Sequence, residues 1–130
     1  MKKINLMFLG SLVFLIFFAS CQRSDNYNRE AEEACLGVIG QWQLREVNNG
    51  VIYRAEFIED GRLSQYFEDH TGYIKKRFGN WEVQGDTLFI EERQGAYSFF
   101  IAELSDSLML LVRTDSTTML FDRIDYSDLP

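Results

Sequence analysis

The chain has 130 residues, 20 acidic against 13 basic, for a formal charge of −7 and a pI near 4.7. That sign excludes a surface built for nucleic acid or anionic headgroups and reads as plain solubility. The length holds one domain, and two cysteines, Cys21 and Cys35, are too few for a disulfide framework.

The first twenty residues read as an address. Met1-Lys2-Lys3 gives a positive start, Ile4 to Phe18 is apolar apart from Asn5, Gly10 and Ser11, and Ala19-Ser20 are small residues before Cys21. This is the layout of a secretory signal, and the run is shorter than the ~20 residues a membrane-spanning helix needs. The small pair directly before Cys21 resembles a bacterial lipoprotein signal, with Phe18 where that class usually has leucine. The resemblance implies that Cys21 is acylated and becomes the new first residue. Two or more acyl chains hold a domain stably at a membrane. The rival fate of Cys21 is a bridge to Cys35 in an oxidising compartment; with lipid on Cys21, Cys35 is expected to tuck in as a small apolar residue. Loss of Lys2 and Lys3 takes the basic count from 13 to 11 against 20 acids, a mature balance of −9.

Residues 21–36 read as a polar tether running into a short helix. Asn28 is placed to cap it, Glu30, Glu32 and Glu33 favour its positive end, and Gly37 is expected as its stop, after one or two turns.

Residues 37–126 show no long helical period, but turn signals recur. They fall at Asn48-Asn49-Gly50, Glu59-Asp60-Gly61, His70-Thr71-Gly72, Gly85-Asp86, Gln94-Gly95, Ser105-Asp106-Ser107 and Thr114-Asp115-Ser116. Between them lie segments rich in β-branched and aromatic residues with partial alternation, as half-buried strands require. Seven short turns separate eight strands, and short turns imply antiparallel neighbours in chain order. Closing such a meander removes both sheet edges. The expected fold is all-β, an eight-stranded antiparallel up-and-down barrel, preceded by a signal peptide and a short helix.

Alternation points inward Trp42, Leu44, Ala55, Phe57, Leu63, Phe67, Trp81, Val83, Leu88, Ile90, Phe99, Ile101, Leu108, Leu110, Val112, Met119 and Phe121. Nearly all are bulky, so a mostly filled barrel is expected, with any pocket confined to its open mouth. Two placements stay open for Tyr53, Tyr66, Tyr73 and Tyr97: around that mouth as candidate ligand contacts, or on the outer sheet face.

Gly40-Gln41-Trp42 resembles the G-x-W that opens a lipocalin barrel, and Arg123 matches the arginine that packs across that tryptophan. The stretches FIEDGRL, GNWEVQGDTLFI and LSDSLMLLV add to the likeness. Over residues 38–124 the chain resembles the small lipocalin-like domains carried by envelope lipoproteins of Gram-negative bacteria of the Bacteroidota kind. The resemblance implies Gly40, Trp42 and Arg123 as structural signature, an envelope location on a membrane, the outer one by that analogy, and a small apolar or amphipathic ligand. The alternative is a filled scaffold for contact with an envelope protein or inhibition of a foreign enzyme.

Little else suggests chemistry. The single histidine, His70, sits in a turn beside Glu68 and Asp69, a poor base for a nucleophile. Adjacent residues of an extended segment point to opposite sides, so Glu68-Asp69-His70 is a poor metal set. The expectation is no catalytic residue, no metal and no cofactor. The basic run Lys75-Lys76-Arg77 reads as an outer strand face that discourages sheet pairing.

Overall fold

The computed structural model describes residues 29–125, with side chains from position 33 onward. The expected signal peptide, the Cys21 lipid site, the cap at Asn28 and the acids Glu30 and Glu32 lie outside those bounds. A helix, α1 (Arg29–Val38), leads into eight strands: β1 (Gly40–Leu44), β2 (Ile52–Phe57), β3 (Arg62–Glu68), β4 (Ile74–Gln84), β5 (Thr87–Glu92), β6 (Gly95–Leu104), β7 (Leu108–Val112) and β8 (Thr118–Ile124). Each strand pairs antiparallel with the next, and β8 pairs back onto β1, so the sheet is a closed barrel in chain order.

Each of the seven turn clusters joins consecutive strands. Left-handed backbone is concentrated there, at Asn49, Gly50, Gly61, Gly72, Gly85 and Ser116, where glycine and asparagine bear it at least cost. The closing seam carries backbone pairs from Gln41–Ile124 to Leu44–Phe121. Just beyond it Arg45 forks onto Asp122, donating from Nε at 3.1 Å and Nη2 at 2.6 Å.

The helix is longer than the expected one or two turns and runs through Gly37 instead of stopping there. The reason is packing: a Cβ on Gly37 would lie 2.8 Å from Leu104 Cδ2. Gly37 therefore serves close approach of α1 to β6, and left-handed backbone falls instead at Gly40, with φ of 137°. Cys35 and Val38 are buried with Trp42, Trp81, Leu88 and Met109 in one apolar cluster that closes the α1 end of the barrel.

Alternation assigns the barrel interior on seven strands, and β7 departs from the expected phase. Met109 and Leu111 are buried, while Leu108, Leu110 and Val112 are half-buried on the other face. In LMLLV every residue is apolar, so hydrophobicity carries no phase. Register does: Met109 pairs with Phe121 and Leu111 with Met119, so these pairs share the interior. A second irregularity, a bulge between Ile101 and Glu103, resets β6 so that Leu104 joins the core periphery and Glu103 is exposed. Without the extra residue, alternation would turn the Glu103 carboxylate inward.

Candidate functional site

The two ends of the barrel are built differently. At the α1 end, Trp42 donates its indole N–H to Val38 O at 2.8 Å. The Arg123 guanidinium carbon stands 4.2 Å from the Trp42 ring centroid, within cation–π range. Arg123 also donates to Gly37 O at 2.7 Å, Ile39 O at 3.0 Å and Asp106 O at 2.6 Å. These carbonyls come from the end of α1, the step into β1 and the β6–β7 turn, so one side chain ties three segments across the floor. A Cβ on Gly40 would collide with that guanidinium, which explains why glycine stands two positions before Trp42.

The other end is open. A cavity of about 450 Å³ enters between the β1–β2 and β7–β8 turns and reaches down to Ala55, Phe57, Ile90, Leu111 and Phe121. This is deeper than the rim pocket expected from bulky lining residues. The room comes from Ala55, whose small side chain sits on β2 between Trp42 and Gln65 in register. It comes also from Gln65 and Glu92, inward polar residues where apolar ones would pack harder. Larger depressions of about 620 Å³ each lie on the outer surface, one beside α1 and the β6–β7 turn, one between the start of β4 and the β5–β6 turn. The barrel cavity joins a mainly apolar wall to buried polar groups.

Those groups form a chain across the wall. Tyr53 O–H donates to Gln65 Oε1 at 2.6 Å, and Gln65 Nε2 donates to Glu92 Oε2 at 3.2 Å. Arg77 Nη1 stands 3.5 Å from Glu92 Oε1 and donates to Gln94 Oε1 at 2.8 Å. Burial, and then the negative charge of Glu92, push the Tyr53 phenol far above its ordinary value of 10.0. Arg113 stands at the rim, half-exposed, with Asp115 4.0 Å away.

The four candidate tyrosines divide two and two. Tyr53 and Tyr97 line the cavity. Tyr66 occupies an outward position of β3, opposite Arg54 and Lys76, with Lys76 Nζ 5.9 Å from its ring centroid. Tyr73 precedes β4 in the turn region and is 67% exposed. The basic run also splits, because neighbouring strand positions face opposite ways: Lys76 lies 5.5 Å over Phe78 outside, while Arg77 lies 5.5 Å over Phe67 and reaches Glu92. Gln65 and Glu92 were missed as site residues. The signal was their parity with Leu63 and Phe67 and with Leu88 and Ile90.

His70 is exposed, and the adjacent Asp69 is occupied by the turn itself, accepting from Thr71 N, Thr71 Oγ1 and Tyr73 N. Among the described residues no group of three His, Cys, Asp or Glu side chains is arranged to hold a metal ion, and no helix is long and apolar enough to cross a membrane. Cys35 is buried and disulfide-bonded.

A closed eight-strand meander, floored by a tryptophan under an arginine and open at the opposite end, has the lipocalin-like architecture. A lipocalin-like protein from Bacteroides uniformis superposes with a TM-score of 0.56 at 18% identity, covering 68% of this chain and 99% of that one. An uncharacterized protein from Bacteroides eggerthii matches equally, with a TM-score of 0.56, 18% identity, and 67% and 99% coverage. At that identity the likeness establishes the fold. No family model and no curated protein matches the sequence.

Proposed function

We propose that this protein is an exported, non-enzymatic binding module that takes a small apolar or amphipathic molecule into the open half of its barrel. One observation carries the reading: a cavity of about 450 Å³ with a mainly apolar wall and a few convergent polar groups, the usual character of a small-molecule site. Among its lining residues are no serine, cysteine or histidine, which supports a binding role over a hydrolytic one. The test is titration with a hydrophobic fluorescent probe. Saturable one-to-one binding is expected, and Ala55→Leu, which fills the cavity from β2, abolishes it while the barrel stays folded. Equal binding by the variant would move the site elsewhere, and no saturable binding would end the reading.

The module is held at the outer membrane by lipid on Cys21, a reading supported by the signal-like first twenty residues. Cys35 bears on it directly. The chain has no third cysteine, so a thioether to lipid and the disulfide at Cys35 are alternative fates, both requiring export. The mass of the mature protein decides: added acyl mass with a free Cys35 thiol supports the anchor, and an unmodified, oxidised chain replaces it with a released domain.

A second reading, docking of an envelope protein, draws on exposed outward aromatics. Phe89 pairs with Ser98 and Phe100 with Thr87, which makes the two phenylalanines diagonal neighbours on the β5–β6 outer face, both 40–48% exposed. Phe89→Ser with Phe100→Ser would abolish such contact while leaving cavity binding unchanged.

A further inference from the structure

The polar chain in the cavity has a direction. Its donors all point one way, from Tyr53 O–H to Gln65 and from Gln65 N–H to Glu92, so it ends on a group that can only accept. The Glu92 side chain is 10% exposed, yet a carboxylate has about four acceptor positions. The described contacts that reach them are the 3.2 Å bond from Gln65 and the 3.5 Å approach of Arg77. Arg77 does not line the barrel cavity. It stands on the inward face, in register with Gln65 and 5.5 Å over the ring of the cavity-lining Phe67, and reaches Glu92 at the gap between the start of β4 and the β5–β6 turn. The cavity therefore presents Glu92 oxygen to an incoming molecule, with the Tyr53 oxygen, an acceptor once its proton is committed to Gln65, near it along the chain. A buried acceptor left without a donor costs free energy, and a ligand donor recovers it.

We propose that Glu92 selects the polar group of the ligand, and that the ligand is an amphipath whose head donates a hydrogen bond, a hydroxyl or an amine, on an alkyl or ring body. A ligand carboxylate there would meet the like charge of Glu92, while Arg77 is engaged by Glu92 and Arg113, the cation among the cavity's lining residues, stands at the rim beside Asp115. This inference rests on the barrel cavity being the binding site. It differs from the general reading in excluding fatty-acid-like ligands from this wall.

The experiment is calorimetric titration of the purified protein with four compounds of one chain length: decanol, decyl methyl ether, decylamine and decanoate. Decanol and its ether are both uncharged, so their comparison isolates the donor from the net negative charge of the protein. Decanol is expected to bind about tenfold more tightly than the ether, and decylamine to exceed decanoate by at least as much. Glu92→Gln, which keeps the shape and offers an amide, is expected to shrink both ratios to about twofold, with the fold verified by circular dichroism. Unequal binding that favours the ether or decanoate, or ratios unchanged in Glu92→Gln, overturns the proposal and leaves the cavity as a ligand site. No binding of any of the four, while Ala55→Leu is equally inert, overturns the cavity reading itself.

Discussion

Arg123 combines two roles that are separable by substitution. Its ring contact with Trp42 contributes about 0.5–2 kcal/mol, and each charge-assisted bond to a backbone carbonyl contributes on the order of 1 kcal/mol. Arg123→Met, which keeps apolar cover over Trp42 but loses all three carbonyls, is expected to cost about 2–4 kcal/mol in denaturant unfolding. Arg123→Lys should recover less than half, because one ammonium cannot reach three carbonyls in different directions. Tyr53 makes an independent prediction. Its folded-state phenol is raised above the ordinary 10.0 by burial and Glu92, so the folded form holds the proton more tightly than the unfolded one. The stability it contributes is complete below pH 10 and falls as pH rises toward the folded value. Phenolate absorbance should show one tyrosine that ionises only as the barrel unfolds. Tyr53→Phe should remove that step and flatten the alkaline decline.

Trp42 and Arg123 were legible through the resemblance to a lipocalin opening and its packing arginine, and closure of the barrel pairs them in register. Glu92 was not, because a charge at an inward position looks like a break in alternation. The bond from Gln65 and the approach of Arg77 make that placement tolerable.

At the scale of elements, turns were the most readable feature and strand phase the least. Asn-Gly and Asp-Gly pairs announce reversals through backbone chemistry that neighbours cannot override. The five apolar residues of β7 announce nothing about facing. Yet the turn centred on Asp115 pairs positions of equal parity, as in Leu111–Met119. Inward Met119 and Phe121 therefore already implied Met109 and Leu111. The helix was underestimated because Gly37 was taken for its stop, when its lack of a side chain admits Leu104. Gly37→Ala should be close to neutral, since a helix-propensity gain of up to ~1 kcal/mol is offset by displacement of Leu104. In a Leu104→Ala background the same change should stabilise by most of that ~1 kcal/mol. A coupling near zero in this double-mutant cycle would place the α1–β6 contact elsewhere.

The molecule as a whole carries its acid sensitivity on its rim and turns. Asp69 is held below its ordinary value of 3.8 first by the Thr71 hydroxyl, Asp60 and Asp115 first by backbone N–H groups of Arg62 and Thr117, and Asp122 first by its bond from Arg45. Depressed folded values mean that the unfolded chain takes up protons first. Their stabilisation is present above the unfolded value of 3.8 and is lost as pH falls through the lower folded values. Unfolding free energy should therefore fall below about pH 4, and Asp69→Asn should make that slope shallower. All four groups are reached by solvent, Asp60 and Asp115 exposed and Asp69 and Asp122 partly so, and the effect should therefore shrink in high salt.

Strand direction settles one last matter. β1 starts at the floor and β8 ends there, and α1 packs against the same end, with Glu33, Ala34 and Gly37 beside the β4–β5 and β6–β7 turns. Both ends of the described chain thus leave from the bottom of the cup, opposite its opening. With the proposed lipid on Cys21, a cup tied down from beneath would face the water above the bilayer. Cargo would be loaded from solution, or handed over by a soluble carrier, instead of sliding in sideways from the lipid, and a partner that seats on the opening would act as its stopper.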